Sequence, residues 1–361
     1  MKKYILKRLL LIPLTLFGIM LVNFLFIQLA PGGPVEQMMI KMEGNAVSAT
    51  ARISGAGSGA AESVASNSKY QGAQGVRDDL KKQLEHEFGF DKPLHKRFLL
   101  MMKKYLVFDF GNSFYQNKKV TDLIKEKMPV SISLGVFSTL IIYLISIPLG
   151  IRKAQKDGTK FDVWTSWCVI IGYAIPSFLF AIFLVVLFAG GRYLNWFPLR
   201  GLVSDNWDSL SLFGKIGDYL WHMALPVFAM VIGGFAGLTM LTKNSFLDEM
   251  HKNYTITAAA KGLTPTQVLY RHVFRNAMLI IVAGFPAVLV GMLFTGSVLI
   301  EVIFSLDGLG LLGFESVMNR DYPVIFGTLY MFALLGLVLN LISDLTYRLI
   351  DPRIDFERRQ S

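Results

Sequence analysis

Six blocks of this chain, 9–30, 131–150, 163–189, 222–242, 278–303 and 324–347, stay apolar almost throughout. Each is close to the length, about 20 residues at 1.5 Å per residue, that carries a helix across the hydrocarbon of a bilayer. Inside a bilayer no water satisfies backbone amides and carbonyls, so a run this long must close its hydrogen bonds within itself, as a helix. With 53% hydrophobic residues and a mean hydropathy of +0.47, the chain is also too apolar for a soluble domain of its length. The blocks predict an all-α integral membrane protein with six transmembrane helices. Lys2, Lys3, Lys7 and Arg8 precede the first block, as they would in a secretory signal. That block is too long for a signal core and Pro31 follows Ala30 at the only plausible cleavage point, so it reads as a retained helix.

Charge sets the orientation. The segments 1–8, 151–161, 243–277 and 348–361 carry 17 Lys and Arg, whereas the short loops 190–221 and 304–323 carry 4. Positive loops stay in the cytoplasm, which predicts both termini inside and the loop 243–277 inside with them. Topology thus accounts for the net charge of +10, and no nucleic-acid partner is needed to explain it. The single cysteine, Cys168, excludes an intrachain disulfide, and five His leave no Cys/His metal cluster. His86-Glu87 starts a zinc-protease pattern but Phe90 stands where the second His belongs. Gly214-Lys215-Ile216 lacks the Ser or Thr of a phosphate loop. No catalytic residue, no metal site and no cofactor bound by this chain is expected.

The domains expected are an N-terminal transmembrane helix (1–30), a periplasmic segment (31–130), a core transmembrane domain (131–350) and a cytoplasmic tail (351–361). Within the periplasmic segment, residues 44–75 are small and polar without periodicity and predict a flexible linker. Residues 76–127 predict a helical part, because Val76, Leu80, Leu84 and Phe88 share one helix face and Pro93 opens a second amphipathic run. This small outer-face domain would lie on the membrane or on the helix bundle.

One cytoplasmic loop is built with unusual care. Thr257-Ala258-Ala259-Ala260-Lys261 favours helix and Gly262 stands where a left-handed cap belongs. Thr264-Pro265-Thr266-Gln267 then fits a capping box that starts a second helix, running through Val268, Leu269 and Val273 into the fifth block. By spacing alone, this is equally an ordinary basic loop or a docking element for another protein.

Ten segments in order resemble the membrane subunits of bacterial ATP-binding-cassette importers. They include 8-RLLLIPLTLFGIMLVNFLFIQLAPGGP-34, FDFGNSF at 108–114, MPVSISL at 128–134, SIPLGI at 146–151, AIPSFLFAI at 174–182 and FPLRG at 197–201. The others are 222-HMALPVFAMVIGGFAGLTMLTKNSFLDEM-250, IEVIFSLDGLG at 300–310, NRDYPV at 319–324 and DPRID at 351–355. The likeness is to the peptide-permease subgroup, and within it to the microcin C and oligopeptide importers. It implies the type I importer permease fold, with a periplasmic insertion, six spans and both ends inside. It also implies that Ile256, Thr257, Ala258, Ala259, Ala260, Lys261, Gly262 and Leu263 form a coupling helix that docks on an ATPase subunit. Ile256 stands here in place of the family's Glu, which the peptide subgroup also typically lacks. The partners implied are a second, related permease chain, two cytoplasmic ATPase subunits that supply ATP and magnesium, a periplasmic or lipid-anchored binding protein, a peptide substrate and membrane lipid.

Polar residues in apolar blocks are costly and each needs a reason. Glu301, with Phe304, Gly308 and Gly310, falls in the motif that lies near the outer gate in the family. Against the gate stands a simpler reading, in which Glu301 accepts from backbone amides around Gly308 and Gly310 or pairs with Arg320. Asp344 is expected to pair with Arg348 one turn on. Asn23, Gln28, Asn244 and Asn340 are expected to bond between helices or to face a wet path. Two rivals to an importer subunit remain. An ion-driven carrier would need a charged residue at mid-membrane, whereas Glu301 and Asp344 sit near block ends. A ligand-binding scaffold would leave six spans and the capped loop unexplained.

Overall fold

The structure is a computed structural model that describes residues 2–29, 92–191, 193–294 and 298–350. The linker 44–75, the helix expected from 76 and the tail 351–361 lie outside the described residues. What is described is almost wholly helical. The helices are α1 (Lys2–Leu29), α2 (Leu94–Tyr105), α3 (Val120–Gln155), α4 (Lys160–Ala174), α5 (Ser177–Phe188) and α6 (Leu212–Met250). They continue with α7 (Asn253–Ala260), α8 (Pro265–Val268), α9 (Phe274–Phe294), α10 (Val298–Ile303), α11 (Leu309–Asn319) and α12 (Tyr322–Ile350).

Five helical stretches are long and apolar enough to cross a membrane: Leu6–Phe26, Val120–Gln155, Leu212–Met250, Pro265–Gly291 and Tyr322–Thr346. The third expected span, 163–189, is not a straight helix. It is the pair α4 and α5, bent by 92° at the break between them. Pro176 explains the break, since proline drives the preceding residue out of the helical region. Ile175 accordingly stands at φ −87° and ψ 117°. The fifth block, 278–303, is described as helix on either side of residues 295–297, as α9 and α10. The fourth lies within a 39-residue helix that outruns its apolar core at both ends.

Two compact units emerge from the packing. The smaller takes in 9–127 and 312–334. Its core is aromatic. Phe98 meets Phe17 edge-on at 5.2 Å and Phe24 at 5.4 Å, and Phe24 lies 6.0 Å from Phe326. Tyr105 meets Phe110 at 4.8 Å and Tyr330 at 5.5 Å. Helix was expected through 76–127, yet residues 106–119 form turns, closed by a single antiparallel bridge between Asn112 and Lys119. Phe108, Gly111 and Asn117 all take positive φ, which an α-helix cannot absorb. On this turn Ser113 Oγ donates to Asp321 at 2.5 Å and the Phe114 amide donates to the same carboxylate at 3.2 Å, so the FGNSF and NRDYP segments are held together.

The larger unit, 128–311 with 1–8 and 335–361, is organised around α6, which packs against α4, α5 and α9. Leu134, Ile142, Ala181, Leu184, Met223, Met230, Phe246 and Ile281 are buried in its core. Helices in this unit are stitched by hydroxyls donating to main-chain carbonyls. Ser146 reaches Phe235 at 2.9 Å, Ser245 reaches Ala277 at 2.7 Å and Ser343 reaches Ala283 at 2.9 Å. The expected interhelical asparagines play no such part. Asn23 bonds back to Ile19 within its own helix, Asn244 and Asn340 are exposed, and Gln28's side chain lies outside the described residues. Asp344 pairs with Arg8 at 2.9 Å, tying the first turns of α1 to α12. The expected partner, Arg348, has a side chain outside the described set.

Candidate functional site

The capped loop forms as its residues dictate. Helix α7 runs from Asn253 to Ala260, and Gly262 follows at φ +85°, the left-handed corner that only glycine takes without strain. The Gly262 amide donates to the Ala259 carbonyl at 2.9 Å and the Leu263 amide reaches Ala258, which satisfies carbonyls at the helix end. Thr264 and Gln267 complete the expected capping box, with Pro265 at the first helical position. The chain then passes through one π-helical turn, Leu269–Val273, before α9 begins. An extra residue in that turn shifts the helical face, so Leu269 and Val273 point inward while Tyr270 is exposed.

The loop has an anchored face and a free one. Thr255 and Ala258 are buried, with the Thr255 hydroxyl on the Met250 carbonyl at 2.8 Å. Ile256 is 64% exposed, and Thr257, Ala259, Ala260, Lys261 and Gly262 are exposed beside it, with Leu263 half-buried. Small side chains on an exposed helix let another backbone approach closely. Tyr254 holds the base, donating to Glu249 at 2.7 Å and accepting from Asn276 at 3.3 Å, so α6, α7 and α9 share one network. Burial first, and the Glu249 carboxylate next, raise the Tyr254 phenol above its usual pKa, which keeps it a donor.

Sequence reasoning missed the device behind this loop. Lys153 on α3 is fully buried, and its ammonium donates to the Asp162 carbonyl at 2.9 Å, Thr165 Oγ1 at 2.9 Å and Ser166 Oγ at 2.7 Å. It also pairs with the Asp162 carboxylate at 2.9 Å. Lys243, seven residues before α6 ends, pairs with that carboxylate at 2.7 Å and with Asp157 at 2.8 Å. Two cations and two carboxylates therefore tie α3, α4 and α6 together at the end of α6 that leads into α7. In sequence, Lys153 and Lys243 had read only as positive-inside charges. Their positions 90 residues apart gave no sign that they share a carboxylate.

The second candidate cluster also assembles. Glu301 is fully buried, accepts from the Leu311 amide at 2.6 Å and lies 3.4 Å from Ser131 Oγ. Ser131 in turn accepts from the Leu309 amide at 2.8 Å. A Cβ on Gly308 would fall on the Glu301 carboxylate, so glycine is required there by space. Phe304 is buried and its carbonyl accepts from the Gly201 amide at 3.2 Å, linking this motif to FPLRG. Gly310 is buried between the two amides that close the knot. Of the two readings of Glu301, the geometry supplies the local amide partner.

The chain belongs to the family described as binding-protein-dependent transport system inner membrane component, whose model matches residues 146–356. It is thus a multi-pass inner-membrane protein. It is 59% identical over 362 residues to the peptidoglycan transport system permease protein YejB of Agrobacterium fabrum, covering 99% of this chain and all of that one. It is 56% identical over 370 residues to the inner membrane ABC transporter permease protein YejB of Escherichia coli O157:H7, at 99% and 100% coverage. The oligopeptide transport system permease protein AppB of Bacillus subtilis is 31% identical over 357 residues, again at 99% and 100%.

Proposed function

We propose that this chain is one of two membrane subunits of an ATP-driven importer for peptides or peptide-like compounds. The names of its relatives support the substrate class, since they include oligopeptide and peptidoglycan transport systems. The single observation that carries the mechanism is the exposed, rigidly based α7 with its glycine corner. A second permease chain, two ATPase subunits and a binding protein would complete the machine, and ATP with magnesium would be held by the ATPases.

In this reading α7, from Ile256 to Leu263, seats on an ATPase subunit. Closure of the ATPase pair moves it, and the Tyr254 network together with the Lys153–Asp162–Lys243 cluster carries that movement into α3, α4 and α6 as one body. The bundle then passes between inward- and outward-open states. ATP drives this only through its different affinity for the two states. Glu301, Phe304, Gly308 and Gly310 would act at the outer closure by keeping its backbone knot intact.

An ion-driven carrier is disfavoured by the family. It is disfavoured also by the pairing of Asp344 with Arg8 and by the local amide partner of Glu301. Purifying the tagged chain from its native host in mild detergent tests the reading. Magnesium-dependent ATPase activity from co-purifying subunits is expected. A pure chain without ATPase that still supports peptide uptake would refute it.

A further inference from the structure

The turn after α2 exposes three large apolar side chains in succession, Leu106 at 67%, Val107 at 73% and Phe108 at 47%. Leu94, Leu99 and Leu100 on α2 are exposed as well. Loops in water do not carry contiguous apolar patches of this kind without a partner to cover them.

Two spans fix the depth of this patch. Phe98 packs on Phe17 and Phe24, and Phe24 stands near the end of the apolar stretch Leu6–Phe26. Tyr105 and Phe108 pack on Tyr330 at 5.5 Å and 6.2 Å, within the stretch that begins at Tyr322. From Tyr322 to Tyr330 the helix advances eight residues, about 12 Å. The contact between Phe24 and Phe326 brings the two spans to a common level. Helix α2 and its turn therefore lie beside the spans at a depth where lipid replaces water.

Charge identifies the lipid. Lys92, Lys96, Arg97, Lys103 and Lys104 fall within 92–108, and that stretch contains no acidic residue. Arg97 sits 6.0 Å over the Phe24 ring, at the level where α1 leaves its apolar stretch. Lysine stems can run along apolar surface while the ammonium reaches the headgroups. We propose that residues 92–108 form an interfacial anchor in the leaflet where α1 ends. Leu99, Leu106 and Val107 enter the acyl region, and Lys96, Arg97, Lys103 and Lys104 bind the phosphates of anionic phospholipids.

The test uses the full chain with its co-purifying subunits in nanodiscs of phosphatidylethanolamine and phosphatidylglycerol. In a Cys168→Ser background, nitroxides are placed one at a time at Leu99, Val107 and Lys103. Labels at Leu99 and Val107 should collide with oxygen more than with a water-soluble nickel chelate, and the label at Lys103 should show the reverse. Nickel access at Leu99 and Val107 would place the patch in water. Shielding of both from either reagent would mean that a protein covers it. Either result overturns the anchor. Separately, the Lys96→Gln, Arg97→Gln, Lys103→Gln and Lys104→Gln variants should lower the phosphatidylglycerol retained on detergent extraction by about fivefold per cation, measured against phosphatidylethanolamine. Unchanged retention would overturn the headgroup assignment.

Discussion

Single residues decide several close approaches. A Cβ at Gly150 would sit 2.5 Å from Thr242 Cβ and 2.8 Å from the Thr239 carbonyl oxygen, so α3 and α6 meet there because nothing projects. Gly150→Ala must push backbone apart and is expected to cost about 1–3 kcal/mol, read as a lower midpoint in detergent melting. Gly308→Ala is expected to cost a similar amount, about 1–3 kcal/mol, by displacing the Glu301 carboxylate, and combining it with Glu301→Ala should cost less than the sum. A strictly additive double mutant would show that the two do not share the space described. At Lys153 the effect is larger. Lys153→Met keeps volume but strips a fully buried cation from Asp162, and should destabilise by about 3–5 kcal/mol. A melting midpoint near that of the parent would mean that Lys243, which already pairs with the same carboxylate, compensates it alone. The residues behind these effects differ in how far the sequence revealed them. Gly262 was legible, because its φ follows from local cap chemistry. Lys153 was not, because a buried charge and a positive-inside charge are the same letter until the third dimension supplies Asp162.

At the scale of elements, local signals were reliable where the chain decides its own conformation. The capping box at Thr264 and the glycine corner appear as their residues require. Apolar length was a weaker guide, because it records composition and not straightness. The block 163–189 is uniformly apolar, yet Pro176 turns it by 92°. Pro176→Ala removes the restriction on Ile175 and should let α4 and α5 run closer to collinear, raising helical signal in that segment and impairing transport. An unchanged angle, measured between spin labels on α4 and α5, would show that packing on α6 and not proline sets the bend. The helix expected through 106–119 failed for a related reason, since the turn depends on positive φ at Phe108, whose side chain carries no turn signal, as well as at Gly111 and Asn117, which favour it.

For the whole molecule, the claim that matters is that force enters at α7 and reaches the spans through Gly262 and the charged cluster. Overall class was readable from the apolar blocks, because the bilayer imposes its rules on any sequence, and five helices, with the bent pair as a sixth, are long and apolar enough to cross. The long-range ties, from Arg8 to Asp344 and from Lys243 to Asp162, were not readable, since they join residues far apart in the chain. The most direct measurement is peptide uptake per ATP hydrolysed by the reconstituted complex, compared among the parent, Gly262→Ala and Gly262→Pro. A Cβ at Gly262 meets nothing, so alanine costs only the positive φ, about 1–2 kcal/mol, and should keep coupling largely intact. Proline cannot take φ +85° and removes the amide that caps Ala259, so the complex should assemble yet hydrolyse ATP with little uptake. Uptake per ATP equal to the parent in Gly262→Pro would contradict the transmission of force through this corner.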